Sequence, residues 1–289
     1  MSVFLRESPE SPNFPNSPCS PSSPIGVFDS GMGGLSVLRA IRRELPAENL
    51  LYLADSGNAP YGDRDAAFII ERATWITNFL LAEGAKAIVV ACNTATLVAV
   101  ANLRAWCPVP IVAMEPAIKP ASTKTRSGVV GVLATSQTLA SPGVARLCSA
   151  YGANISILLQ AAPGLVEQVE RGDLAGATTR ALLVRYLRPL LDAGADTLVL
   201  GCTHYPFLLG LIREIVGPEV TLVDPAAAVA RELARRLGLG QALAKADQVG
   251  GERFFCSGRP DQVQGVLSAL WGSKVTVKAA ESRADRCCN

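Results

Sequence analysis

The 289-residue chain contains one histidine, His204, and no Cys-x-x-Cys pair. A structural zinc site draws on repeated Cys and His ligands, so this poverty excludes the usual frameworks and no metal is expected. Apolar stretches run only four to eight residues before a Gly, a Cys or a charge, too short to cross a bilayer. Neither charge sign dominates: 27 basic residues against 25 acidic give a net charge of +2. That balance offers nothing to a nucleic acid or a membrane surface as a main partner. The opening residues, MSVFLRESPESP, lack the apolar core of a secretory signal, so a cytoplasmic location is the expectation. Eight cysteines in a chain of this length, with no export signal, do not read as a disulfide framework. Cys107, Cys148 and Cys256 read as small packing residues, and Cys287 and Cys288 in the polar tail receive no role.

What is present is a duplication. LLAEGAKAIVVACNT (residues 80–94) and LLDAGADTLVLGCTH (residues 190–204) align without a gap at an offset of 110. Each reads as a helix end, a Gly turn, a short apolar strand and a cysteine where the strand stops. Ligands of parallel α/β sheets bind just beyond the carboxyl ends of strands. Two such halves therefore present Cys92 and Cys202 to one cleft from opposite sides, the geometry for moving a proton across a stereocentre. A thiol is lowered toward neutrality by a helix N-terminus or a nearby cation. Asn93-Thr94-Ala95-Thr96 opens a helix after Cys92, and His204 stands two residues beyond Cys202.

The remainder fits the same plan. Strands at 25–28, 49–55, 87–92 and 110–115 alternate with helices. The pattern restarts with SGVVGVLAT (residues 127–135), which mirrors IGVFDS, and continues through strands at ISILLQ, 197–202 and 220–224 with a helical region over 164–193. Alternation of this kind predicts an α/β protein of two pseudo-symmetric lobes, each a parallel sheet flanked by helices, with the site in the cleft between them. The expected division is a first lobe from residues 25–116 plus 225–289 and a second from 117–224. The helix PAAAVARELARRLGL is expected to pack back on the first lobe, with ERFFCSG and SKVTVKA as late strands. Residues 1–24 stand apart: Pro9, Pro12, Pro15, Pro18, Pro21 and Pro24 recur every third residue. Such spacing lines one edge of a polyproline II helix, a docking ligand for an aromatic groove, but a solvated and poorly ordered extension is the favoured reading.

The loop Asp29-Ser30-Gly31-Met32-Gly33-Gly34 has two readings. A glycine-rich turn before a helix can cradle phosphate. This one follows neither nucleotide-binding pattern and begins with an acid, so it reads better as a tight turn presenting Asp29 and Ser30 to a small amino acid. Asp55 ends the next strand and Pro60-Tyr61-Gly62 follows in a loop able to close over a polar ligand. Asp55 also fits a helix cap or a solvated loop acid.

Together VFDSGMGGLSVLRAI, YLADSGNAPYG, VVACNTAT and LVLGCTHYPFL resemble the bacterial glutamate racemases, closely over residues 25–225 and loosely beyond. The resemblance implies interconversion of L- and D-glutamate by two bases, without pyridoxal phosphate, metal or nucleotide, supplying D-glutamate for peptidoglycan. It implies that Cys92 deprotonates D-glutamate and Cys202 L-glutamate, with Asp29 and His204 as flanking auxiliary groups. Ser30, Pro60, Tyr61, Gly62, Asn93, Thr94 and Thr203 match substrate-contact positions, Asp55 a further acid, and Glu170 a glutamate near the histidine. One departure is Ala161-Ala162-Pro163, where many members have Ala-Cys-Pro; neither base is involved. Members form homodimers of differing arrangement or monomers, and some bind DNA gyrase. Others carry extensions tied to activation by a peptidoglycan precursor, UDP-MurNAc-L-Ala, though residues 1–24 hold no matching motif. A racemase of another acidic amino acid, a catalytically silent amino-acid sensor and a dithiol redox protein remain as alternatives.

Overall fold

The computed structural model describes residues 20–245 and 248–281. The first half of the chain runs β1 (Ile25–Asp29), α1 (Leu35–Glu44), β2 (Leu50–Ala54), α2 (Ala66–Ala82), β3 (Ala87–Val90), α3 (Asn93–Trp106), β4 (Ile111–Ala113) and α4 (Ile118–Ser122). It continues with β5 (Val129–Ala134), α5 (Ser136–Leu139), α6 (Pro142–Tyr151), β6 (Ser156–Ala161), α7 (Leu165–Glu170), α8 (Ala177–Asp192) and β7 (Thr197–Leu200). The last part holds α9 (Leu209–Val216), β8 (Thr221–Val223), α10 (Ala226–Leu239), β9 (Glu252–Cys256), α11 (Pro260–Trp271) and β10 (Val277–Ala279).

All strand pairs are parallel and form two sheets, one ordered β10-β9-β2-β1-β3-β4 and the other β6-β5-β7-β8. Parallel sheets are covered on both faces, which is why their strands read as unbroken apolar runs. β1, β2, β3 and β7 are buried along their whole length. The shared β2-β1-β3-β4 and β6-β5-β7-β8 orders make the duplication visible: β3 and β7 are equivalent strands.

α10 presents Val229, Ala230, Leu233 and Leu237 on one buried face, at the spacing of a helical stripe, and packs on α1 as its sequence predicts. Removing a buried leucine such as Leu233 from that contact would cost about 2–5 kcal/mol. The helical region expected over 164–193 is two helices. Gly172 adopts a positive φ of 78° after α7, and the Asp173 carboxylate then accepts from the Gly176 N–H before α8. That turn chemistry ends one helix and starts the next. α9 and α11 are helices the sequence reading did not single out.

Most of the Ser-Pro stretch lies outside the described residues. Its last part is tied to the fold: Lys86, wholly buried, donates from Nζ to the carbonyls of Pro21 (2.5 Å) and Ala242 (2.7 Å) and pairs with buried Glu48 at 2.6 Å. Two carbonyl acceptors and a carboxylate counter-charge surround the ammonium, which is what makes its burial tolerable. No helix among the described residues is long and apolar enough to cross a membrane.

Candidate active site

The cleft between the sheets lies at the carboxyl ends of their strands and is lined from both sides. Cys92, Ser30, Pro60, Tyr61, Gly62, Asn93 and Thr94 come from the larger sheet's side; Cys202, Thr203 and His204 from the smaller's. Ten of the thirteen residues singled out from the sequence thus meet in one cavity. Both cysteines are free thiols.

Their surroundings follow from the local chain. Cys92 is the N-cap of α3, and its Sγ accepts from the Ala95 N–H at 3.5 Å. Ser30 Oγ lies 3.8 Å from the same sulfur. Burial pushes the Cys92 thiol well up, and the Asp29 carboxylate adds to this, while the Ala95 amide pulls the other way. On the other side His204 Nδ1 stands 3.6 Å from Cys202 Sγ, and its Nε2 is 2.6 Å from Glu170 Oε1. Burial alone would favour neutral imidazole. The contacts with Cys202 and Glu170 outweigh it, so His204 holds its proton well above the ordinary histidine value. Those two contacts favour the protonated form of the ring that faces Cys202.

Asp29, Asp55 and Glu170 do not line the cleft; they stand behind residues that do. Asp29 accepts from the Ser30 and Gly34 N–H groups (2.7 and 2.6 Å) and from Thr203 Oγ1 (3.1 Å), so its carboxylate bridges the lobes. Burial raises its pKa against the lowering pull of His204. Asp55 is fully buried, neither a helix cap nor a solvated acid. It accepts a two-pronged contact from Arg72 (2.8 and 3.0 Å), the Tyr61 hydroxyl and the Asn58 amide. Burial opposes ionisation there, but these donors hold the carboxyl below the usual range. Asp55 thereby fixes the Tyr61 ring that forms the cleft wall.

The glycines of residues 31–34 are needed for space, since none has a positive φ. A Cβ on Gly31 would sit 2.2 Å from Glu170 Oε1, and one on Gly33 2.3 Å from His204 Nδ1. Three of the loop's amides are taken by carboxylates, Met32 N–H by Glu170 and the Ser30 and Gly34 N–H groups by Asp29, which leaves them no phosphate to hold.

Sequence reading missed Thr135, Val166 and Gly201, which also line the cleft. Thr135 Oγ1 lies 3.2 Å from Thr94 Oγ1, and both contact Thr138, so three hydroxyls close the gap between the lobes. The signal was available: the mirror of IGVFDS in SGVVGVLATS places Thr135 opposite Ser30. Among the described residues, both polar atoms of the Asn93 amide are buried without a protein partner. An unmet donor and acceptor in a cleft wall cost about 1–3 kcal/mol each until something polar binds there.

Fold and cleft define a two-lobed α/β protein with a polar cleft between its lobes and a thiol on either side of it. The Asp/Glu/hydantoin racemase family model matches residues 25–233, and the chain belongs to that family. A glutamate racemase of Pseudomonas aeruginosa is 52% identical over 254 residues, covering 88% of this chain and 96% of the relative. Among solved structures, a glutamate racemase of Bacillus anthracis superposes with a TM-score of 0.81 at 32% identity, over 90% of this chain and 97% of that one. The Escherichia coli glutamate racemase, solved with L-glutamate and the activator UDP-MurNAc-Ala, gives 0.78 at 33% identity, over 89% and 97%.

Proposed function

We propose that the protein racemises glutamate by a two-base mechanism in which Cys202 removes the α-proton of L-glutamate and Cys92 that of D-glutamate. The observation that carries this reading is the pair of free thiols at equivalent strand ends, lining one cleft from opposite lobes. In the L-to-D direction the Cys202 thiolate takes the α-proton, and the electron pair passes into the α-carboxylate as an enediolate. The Cys92 thiol then delivers its proton to the opposite face. Each thiol ends in the state the other began in, so the reverse reaction runs from the product state.

Thiolate basicity is arranged differently on each side. Cys202 has the His204 ring beside it, oriented by Glu170. Cys92 has the first turn of α3, whose amides and dipole favour an anion. The substrate carboxylates bind to hydroxyls and amides: Asn93 Nδ2, Ser30, Thr94 and Thr203 supply donors, and the substrate ammonium can donate to Asn93 Oδ1, so both buried polar atoms of that side chain gain partners. Supply of D-glutamate to peptidoglycan in the cytoplasm, and activation by UDP-MurNAc-Ala, the activator bound by the Escherichia coli relative, extend the same proposal.

The test is L-glutamate in D2O without added cofactor, followed by polarimetry and α-hydrogen NMR, with L-aspartate as control and a parallel arm containing UDP-MurNAc-Ala. Loss of rotation with deuterium entering the α-carbon is expected for glutamate. Unchanged rotation in both arms would sink the reading.

A further inference from the structure

We propose that Tyr52, on β2 and away from the cleft wall, is a positioning residue for the Cys202 side of the reaction, acting through the Gly31–Met32 peptide and Glu170. This rests on the assignment of Cys202 as the base for L-glutamate.

The argument is one of peptide geometry. Tyr52 is fully buried, and its hydroxyl donates to the Gly31 carbonyl at 2.7 Å. The Met32 N–H belongs to the same planar unit and donates to Glu170 Oε1 at 2.6 Å. In a trans peptide the C=O and N–H point in opposite directions, so fixing one aims the other. Tyr52 therefore holds from the larger sheet an amide that reaches across to the smaller lobe. Glu170 Oε1 is shared between that amide and His204 Nε2, and His204 Nδ1 faces Cys202. The Cys92 side is held differently: the Ala95 N–H and Ser30 Oγ come from its own lobe, and the link across the lobes there is the Asp29 carboxylate, which accepts from Ser30 and Thr203.

Burial, with Asp29 and Glu170 nearby, holds the Tyr52 phenol well above its ordinary pKa, so it remains a donor at any working pH. The loop is also shaped for the contact. A Cβ on Gly34 would lie 2.9 Å from the Tyr52 hydroxyl, and one on Gly31 would collide with Glu170 from the other side.

Tyr52→Phe removes the hydroxyl and keeps the ring that packs edge-on against Phe254 at 6.5 Å. The experiment measures initial rates and primary isotope effects with α-deuterated L- and D-glutamate for the full chain, Tyr52→Phe, Glu170→Gln and the double variant. Because the two enantiomers are equal in energy, kcat/KM falls equally in both directions in every variant, and the isotope effects carry the distinction. Tyr52→Phe is expected to lower kcat/KM by about 3- to 10-fold, the weight of one buried hydrogen bond. It should raise the isotope effect on L-glutamate and diminish that on D-glutamate, since proton transfer at Cys202 becomes the slower step. The double variant should be no slower than Glu170→Gln. Gly31→Ala, which displaces Glu170 directly, should give the same signature and guards against a Tyr52→Phe chain that folds poorly. Unchanged isotope effects in Tyr52→Phe, or losses that multiply in the double variant, would overturn the relay alone. A Glu170→Gln chain with no rise in the L-glutamate isotope effect would overturn the Cys202 assignment and the relay with it.

Discussion

Where β3 ends, the chain runs straight from Cys92 into a 14-residue α-helix; where β7 ends, it passes from Cys202 through one 3-10 turn, Tyr205–Leu208, before α9 begins. The strand registers make the two places equivalent. Phe28 pairs with Leu53 and Val90 in one sheet as Leu133 pairs with Gln160 and Leu200 in the other. On that correspondence Ser30 matches Thr135, Asn93 matches Thr203, and Thr94 matches His204, while Asp29 meets Ala134. One thiol has a helix N-terminus beside it and the other an imidazole, so on the proposed two-base reading a common scaffold gives the two sulfurs different neighbours. A substrate that swaps a proton between enantiotopic faces needs two bases but not two identical ones.

The sheets differ at their outer edges for a related reason. β9 lies against β2 and buries it, whereas β6 has no further strand and stays half exposed. Tyr52 is fully buried and its equivalent, Leu159, is 44% exposed. Only the covered strand has an interior position from which a hydroxyl can reach the loop behind the site.

The sharpest break of the comparison is at the thiols. Cys92→Ser or Cys202→Ser should lower racemisation on the order of 10^3-fold, since a serine hydroxyl supplies almost no resting base; near-normal turnover by polarimetry in either variant would remove the two-base reading. His204→Asn should lower kcat/KM by about 10- to 100-fold and raise the isotope effect on L-glutamate alone. A rise on D-glutamate instead would place His204 on the wrong thiol.

Arg72→Leu should destabilise the protein by about 3 kcal/mol, because it strands a buried carboxylate, Asp55, behind Tyr61. The sign of its pH dependence follows from the depressed Asp55 pKa. The contribution of the pair is complete above the unfolded value of about 3.9 and is lost as pH falls through the lower folded value. Urea melts at pH 7 and below pH 4 should therefore bring variant and parent closer together in acid. Thr135→Val, opposite Ser30, is expected to raise KM a few-fold with kcat little changed, measured by initial rates. The smallest effect belongs to the exposed edge: Leu159→Ser should move stability by no more than about 0.5 kcal/mol in thermal melts.

Much of this was legible in the residues themselves. The repeat of a Gly turn, four apolar residues and a cysteine announced parallel strands ending at one cleft, and a lone histidine two residues past one cysteine marked the asymmetry. Such features are local, because strand periodicity, turn residues and cap positions are fixed by neighbours in the chain. Tertiary structure alone decided the rest. It moved Asp55 behind Tyr61, set three hydroxyls from two lobes within reach of one another, and brought Glu170 and the Met32 amide together across 138 positions of sequence. Those meetings depend on how two sheets face each other, and a one-dimensional pattern carries no term for the distance between residues that only packing makes neighbours.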